Sequence, residues 1–192
     1  MRFLCYDFVN GTVPWEMDQE MKQFLLPGEA TFAYCTPTVP ETCVKAFKDL
    51  DKYLETEEPY DGVIAFSLGT TFVMSWMVKK YREKKQAEIP FKVGIFFSSA
   101  GWLMAPHDSI EPSVTSCDPA EVEGIIDIPT AHIWGSQDSY RANAEMCIKV
   151  CKADVRSKFI HEKGHGVPAS AEDVISTVQV MNRAMATAQG FN

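Results

Sequence analysis

Short apolar runs rich in aromatic and β-branched residues alternate along this chain with longer stretches whose apolar positions recur at helical spacing. That alternation predicts repeated β-α units on a largely parallel sheet flanked by helices. Strands are predicted at RFLCYDF (2–8), ATFAYC (30–35), DGVIAF (61–66), KVGIFFS (92–98), TAHIWG (130–135) and SKFIHE (157–162), with helices over 15–25, 41–55, 69–84, 140–152 and 171–188. The runs at 63–66 and 93–97 are apolar without alternation, as strands covered on both faces must be, so both are expected mid-sheet. The stretch 98–127 breaks the rhythm with Pro106, Pro112 and Pro119 among scattered acids and serines, and is expected to be a surface excursion near the site.

The chemistry-bearing residues fall at the ends of these predicted strands. In DGVIAFSLGTTFVMSW an apolar strand meets Ser67 and then a helix, and the positions two before and two after the serine, Ala65 and Gly69, are small. A strained strand-turn-helix elbow that exposes a nucleophile needs small residues there, so that strand and helix can approach. HIWGSQDS sets Asp138 just after the next-to-last strand, and HEKGHGVP sets His165 between two glycines after the last. Loops at the carboxyl ends of parallel strands gather functional groups, and the order serine, acid, histidine is that of one hydrolase fold among several unrelated ones. The alternatives are helix caps at Ser67 and Asp138. His132 and His161, inside strands, read as structural, and His107 as a solvated loop residue.

These segments carry a specific resemblance. The strand-first start, ATFAYCTPTVP, DGVIAFSLG, IFFSSAG, DIPTAHIWGSQD and HEKGHGVP occur in the same order in the FSH family of small serine hydrolases, typical of fungi, which this chain resembles over nearly its whole length. The resemblance implies a lidless α/β-hydrolase fold, a catalytic triad of Ser67, Asp138 and His165, and hydrolysis of an acyl ester or thioester. Several members release a finished polyketide chain from its carrier, so a carrier-bound or small-molecule acyl substrate is expected. The backbone N–H of Leu68 is expected as one oxyanion donor, and that of Phe8 or Val9 as the other. Trp102, Leu103 and Met104, after an apolar strand, are candidates for an acyl-binding wall, with plain core as their alternative.

One segment departs from the family pattern: Tyr6-Asp7-Phe8-Val9-Asn10-Gly11 stands where a His-Gly step and further glycine are usual. An acid at Asp7 would oppose the charge developing on a substrate oxygen. The departure motivates an alternative, a divergent hydrolase-fold protein that binds or cyclises a biosynthetic intermediate without hydrolysis.

Bulk properties narrow the partners. A chain of 192 residues with 46% hydrophobic content fits one domain over 1–192 with one core. Its formal charge of -8 repels nucleic-acid phosphates and anionic lipid surfaces. KKYREKK (79–85) is the single basic run, and cations there suit a helix C-terminus. The six cysteines form no Cys-x-x-Cys pair and are expected to be reduced, mostly buried thiols, with no metal and no cofactor. The start MRFLCYDFVNG lacks a long signal-type apolar region, and no stretch approaches the ~20 apolar residues of a membrane span, so a cytoplasmic location is expected.

Overall fold

The computed structural model describes residues 5–17, 22, 25–57, 59–118 and 120–190. They divide into two compact units: the described residues through Leu50 with Pro106–Val114, and Asp51–Ala105 with the chain from Thr115 onward.

In the first unit β1 (Val13–Pro14) pairs antiparallel with β2 (Phe32–Ala33). The helix α1 (Pro40–Thr56) begins here and buries Cys43, Val44, Phe47 and Leu50 on one stripe, the spacing of an amphipathic helix. Gly11 is a glycine because its backbone touches β2: a Cβ there would lie 2.5 Å from the Ala33 carbonyl. Two expectations change. Of the strand at 2–8, residues 2–4 lie outside the described residues, while Cys5 to Phe8 are exposed and in no strand. The strand at 30–35 contracts to Phe32–Ala33, because its partner is the two-residue β1 rather than a long parallel neighbour. The helix expected over 15–25 lies mostly outside the described residues.

The second unit holds the sheet. β3 (Gly62–Phe66), β4 (Val93–Phe97), β7 (Thr130–Gly135) and β8 (Arg156–His161) are parallel in the order β3-β4-β7-β8. Parallel neighbours need crossovers; α2 (Leu68–Arg82) leaves β3, and α3 (Arg141–Cys147) tightens into a 3-10 turn over Ile148–Val150 before β8. The last helix, α4 (Ala171–Ala188), packs Val180 and Ala184 on Ile95, Phe97, Ala131 and Ile133. Alternation along the strands turns Phe96 and His132 to the opposite face, where their rings lie 5.3 Å apart. β4 sits inside the sheet as expected. β3 does not: among the described strands it forms a border, and Ile64 is half exposed.

The stretch 98–127 is also less peripheral than its polarity predicts. It forms β5 (Met104–His107) and β6 (Ser113–Ser116), which pair in a two-stranded sheet. It also buries Leu103, Met104, Cys117, Val122 and Ile126, and backbone bonds tie it down: Cys117 N–H donates to Leu103 at 2.9 Å and Ile126 N–H to Val150 at 3.0 Å. Few apolar residues suffice, because the core excludes water from each of them. The basic run is spent on ion pairs: Lys79 with Glu83, Lys80 with Asp51 and Glu88, Arg82 with Glu121. Five of the six cysteines are buried and all six are free thiols. No described helix is long and apolar enough to cross a membrane.

His132 gives the core a pH response. It is buried, its Nε2 lies 3.1 Å from Thr130 Oγ1, and burial, with the nearby Arg156 charge, pushes its imidazole down to about 3. An unfolded histidine takes its proton near 6.5. Between those values the unfolded chain binds a proton that the native state refuses, so stability falls as pH drops from about 6.5 toward 3, with a slope approaching about 1.4 kcal/mol per pH unit from this group. Urea unfolding of His132→Phe between pH 7 and pH 4 should show a shallower acid decline than the wild type, whatever its absolute stability. An unaltered decline would remove His132 from the account.

Candidate active site

Three loops at the carboxyl ends of β3, β7 and β8 meet in the second unit. The first is the turn at Ser67, which has φ 54° and ψ −123°, a left-handed conformation that costs a residue with a Cβ on the order of 1–3 kcal/mol. The neighbouring strand end holds it there: Ser67 N–H donates to the Phe97 carbonyl at 2.9 Å, and the Ser67 carbonyl accepts from Ala100 N–H at 3.3 Å. Thr70 Oγ1 donates to the Phe97 carbonyl at 3.3 Å, and Thr71 Oγ1 to that of Ala100. Leu68 follows directly as the first residue of α2, so its N–H belongs to the unbonded amides of a helix start.

The second and third loops are laced together. Ser136 N–H donates to the His161 carbonyl at 2.7 Å, and Gln137 N–H to that of Lys163 at 3.1 Å. Gly135 is where they press closest: a Cβ there would stand 1.9 Å from the Lys163 carbonyl oxygen and 2.4 Å from that of Gly164. The Trp-Gly-Ser sequence that ends β7 therefore admits the histidine-bearing turn.

At their meeting point Ser67 Oγ lies 2.9 Å from His165 Nε2, and His165 Nδ1 lies 2.9 Å from Asp138 Oδ2. The other carboxylate oxygen, Oδ1, accepts from Tyr140 N–H at 2.8 Å. A carboxylate only accepts, so Nδ1 carries the ring hydrogen and Nε2 is left to accept from the Ser67 hydroxyl. Both side chains behind the serine are dry, with exposures of 5% for His165 and 0% for Asp138, which strengthens their attraction relative to water. Phe66 and Tyr140 flank the imidazole with ring centroids 5.2 Å away on each contact, one tilted and one edge-on. The arrangement can deprotonate a hydroxyl and hold the imidazolium that results.

The remaining predicted residues are distributed differently. Trp102 is 38% exposed, whereas Leu103 and Met104 are buried at 0% and 3%; of the run, Trp102 offers surface and its neighbours fill core. Phe8 and Val9, 87% and 43% exposed, belong to the first unit, where the Val9 carbonyl accepts from Tyr34 Oη at 3.1 Å. His132 and His161 are buried within their strands, and His161 Nδ1 accepts from Lys163 N–H at 3.3 Å. Sequence reasoning missed Tyr140 and Ser98. The available signal for Ser98 was its position, a small polar residue directly after an apolar strand at the sheet's carboxyl edge.

A family model described as "Serine hydrolase (FSH1)" matches residues 8–177. Similar proteins include "Esterase FPY3" of Fusarium mangiferae, 27% identical over 181 residues covering 94% of this chain and 79% of that protein. "Hydrolase phiM" of a fungal species is 25% identical over 162 residues, covering 84% and 70%. "Esterase C25G4.2" of Caenorhabditis elegans is 22% identical over 175 residues, covering 87% and 74%. Among solved structures, the Bacillus cereus carboxylesterase superposes with a TM-score of 0.51 at 12% identity over 91% of this chain and 73% of that one. Fungal esterases from Rhizomucor miehei give 0.51 at 12% identity over 82% and 62%. At these identities the structures speak for the fold alone, which is that of the α/β-hydrolases.

Proposed function

Since this chain belongs to the serine hydrolase (FSH1) family and is an esterase-type serine hydrolase, we propose that Ser67 is its nucleophile, His165 the base and Asp138 the residue that orients the base. The observation that carries this reading is the unbroken series Asp138–His165–Ser67, with both hydrogen bonds at 2.9 Å.

In acylation the Ser67 oxygen attacks the acyl carbonyl carbon while His165 Nε2 takes the hydroxyl proton. The bond to the alcohol or thiol then breaks, and His165 returns the proton to the leaving group. In deacylation a water attacks the acyl-serine, His165 accepts its proton, and Ser67 recovers the proton as the acid departs. The Leu68 N–H supplies an oxyanion donor at the start of α2; removing one such donor in an acyl-transfer site costs on the order of 10²–10³ in kcat. The second donor, Phe8 or Val9, is an assignment from the sequence.

The natural substrate, on this reading, is a polyketide or related acyl chain joined to its carrier as an ester or thioester, with Trp102 as an apolar contact for the acyl part. A panel of short activated esters, acyl thioesters, anilides and phosphoesters tests it. Turnover should concentrate on thioesters and esters with apolar acyl chains, and a preference for anilides or phosphoesters would overturn the substrate class.

A further inference from the structure

Ser98 follows β4 directly and carries three unusual features together. It is 1% exposed, its φ is 43°, and its hydroxyl donates to the Gly166 carbonyl at 3.3 Å. A serine in the left-handed region of a buried site is strained, and glycine would hold that conformation without strain. The residue therefore brings something that glycine lacks, and the hydroxyl is the difference.

The hydroxyl reaches the turn that bears His165. On the N-terminal side of His165 the turn is held by Lys163, whose carbonyl accepts from Gln137 and whose N–H donates to His161. On the C-terminal side a Cβ on Gly166 would meet open space and Val167 is 59% exposed, while Pro168 is buried and the His161 imidazole also interacts with the Gly166 backbone. Ser98 is anchored in turn: its N–H donates to the Ile133 carbonyl at 2.8 Å, and the residues on either side of it hold the nucleophile turn, Phe97 through Ser67 N–H and Ala100 through the Ser67 carbonyl. One short segment, Phe97 to Ala100, thus touches both the serine turn and the histidine turn.

We infer that Ser98 is a positioning residue, whose hydroxyl ties the Gly166 carbonyl to the strand end that carries the Ser67 turn and so sets the separation of His165 from Ser67. The inference rests on the reading of Ser67 and His165 as nucleophile and base. A hydrogen-bond network of this kind matters through geometry, because loosening a base by a fraction of an ångström reduces the share of molecules in reactive alignment.

The test uses Ser98→Gly, Ser98→Ala and Ser98→Thr, read by the rate of fluorophosphonate labelling, by kcat and KM on a short activated ester, and by Tm. Gly and Ala lack the hydroxyl, and both should label and turn over about tenfold more slowly than the wild type at unchanged KM. Gly relieves the positive φ and should melt at or above Ser98→Ala. Thr keeps the hydroxyl but adds a β-branch in a strained conformation, so it should melt lower than Gly and yet react within about twofold of the wild type. Activity then follows the hydroxyl while Tm follows the backbone. Wild-type rates in Gly and Ala, or rates that track Tm through the series, overturn the positioning role. A wild-type protein that does not label overturns the reading of Ser67, and this inference with it.

Discussion

Ser67→Ala is expected to abolish reaction with a fluorophosphonate probe and to reduce ester turnover by a factor on the order of 10⁶, with the fold retained. Loss of the nucleophile removes the covalent route, and in a triad that acts as one unit such a loss is nearly as costly as losing all three members. The effect on stability is small for a reason visible in the turn. Serine and alanine both carry a Cβ, so both pay the same cost at φ 54°, and the backbone bonds from Phe97 and Ala100 that hold the turn involve main-chain atoms only. Removing one partly exposed hydroxyl is worth about 1 kcal/mol or less. The decisive measurement is labelling of both proteins at equal concentration, followed by mass spectrometry of the modified peptide. Undiminished labelling of the variant would move the nucleophile to another residue.

The second large effect is expected at His165. His165→Ala should lower kcat at least a thousandfold while leaving KM on a short ester nearly unchanged, because the imidazole acts on the proton in flight rather than on the bound acyl group. Its removal also strands Asp138. That carboxylate is buried, and with His165 gone it retains the Tyr140 N–H as partner on Oδ1, so the variant should be destabilised as well as slow. The two losses are separable: urea unfolding reads the first and burst kinetics on the folded fraction read the second. Turnover within tenfold of the wild type would require a different base. His132 and His161 are poor substitutes, because both are buried in strands and burial lowers the proton affinity of each.

The two variants and Ser98 address different layers of one site. Ser67 and His165 touch the reacting atoms in the proposed mechanism, and Ser98 touches only the turn behind one of them. A thousandfold loss against a tenfold one separates participation from alignment, a difference of nearly 3 kcal/mol in the barrier.

How much of this was legible beforehand depends on whether a feature is local in the chain. The four strands of the parallel sheet and the helices α1, α2 and α4 were readable, because each is one uninterrupted apolar run or amphipathic stretch whose pattern needs no distant partner. Ser67, Asp138 and His165 were readable as candidates for the same reason: Ser67 directly follows such a run between small residues, and Asp138 and His165 come within four residues of the ends of theirs, His165 between two glycines. Features that depend on a partner far along the chain were not. The strand at 30–35 shrank because what pairs with it is β1, and pairing is not encoded in the strand's own residues. Leu103 and Met104 read equally as a substrate wall or as core, and only the fold decides for core, where Cys117 N–H donates to the Leu103 carbonyl and Met104 N–H to Ser75 Oγ.

Tertiary structure alone decided the distances. Ser67 and His165 are 98 residues apart in sequence and Asp138 and His165 are 27 apart, yet both pairs close to 2.9 Å. Only the parallel register of β3, β4, β7 and β8 brings those loop ends to one edge. Nor does anything in Phe-Phe-Ser-Ser-Ala mark a serine with a positive φ, since backbone strain appears only when the surrounding fold holds a residue where its own preferences would not.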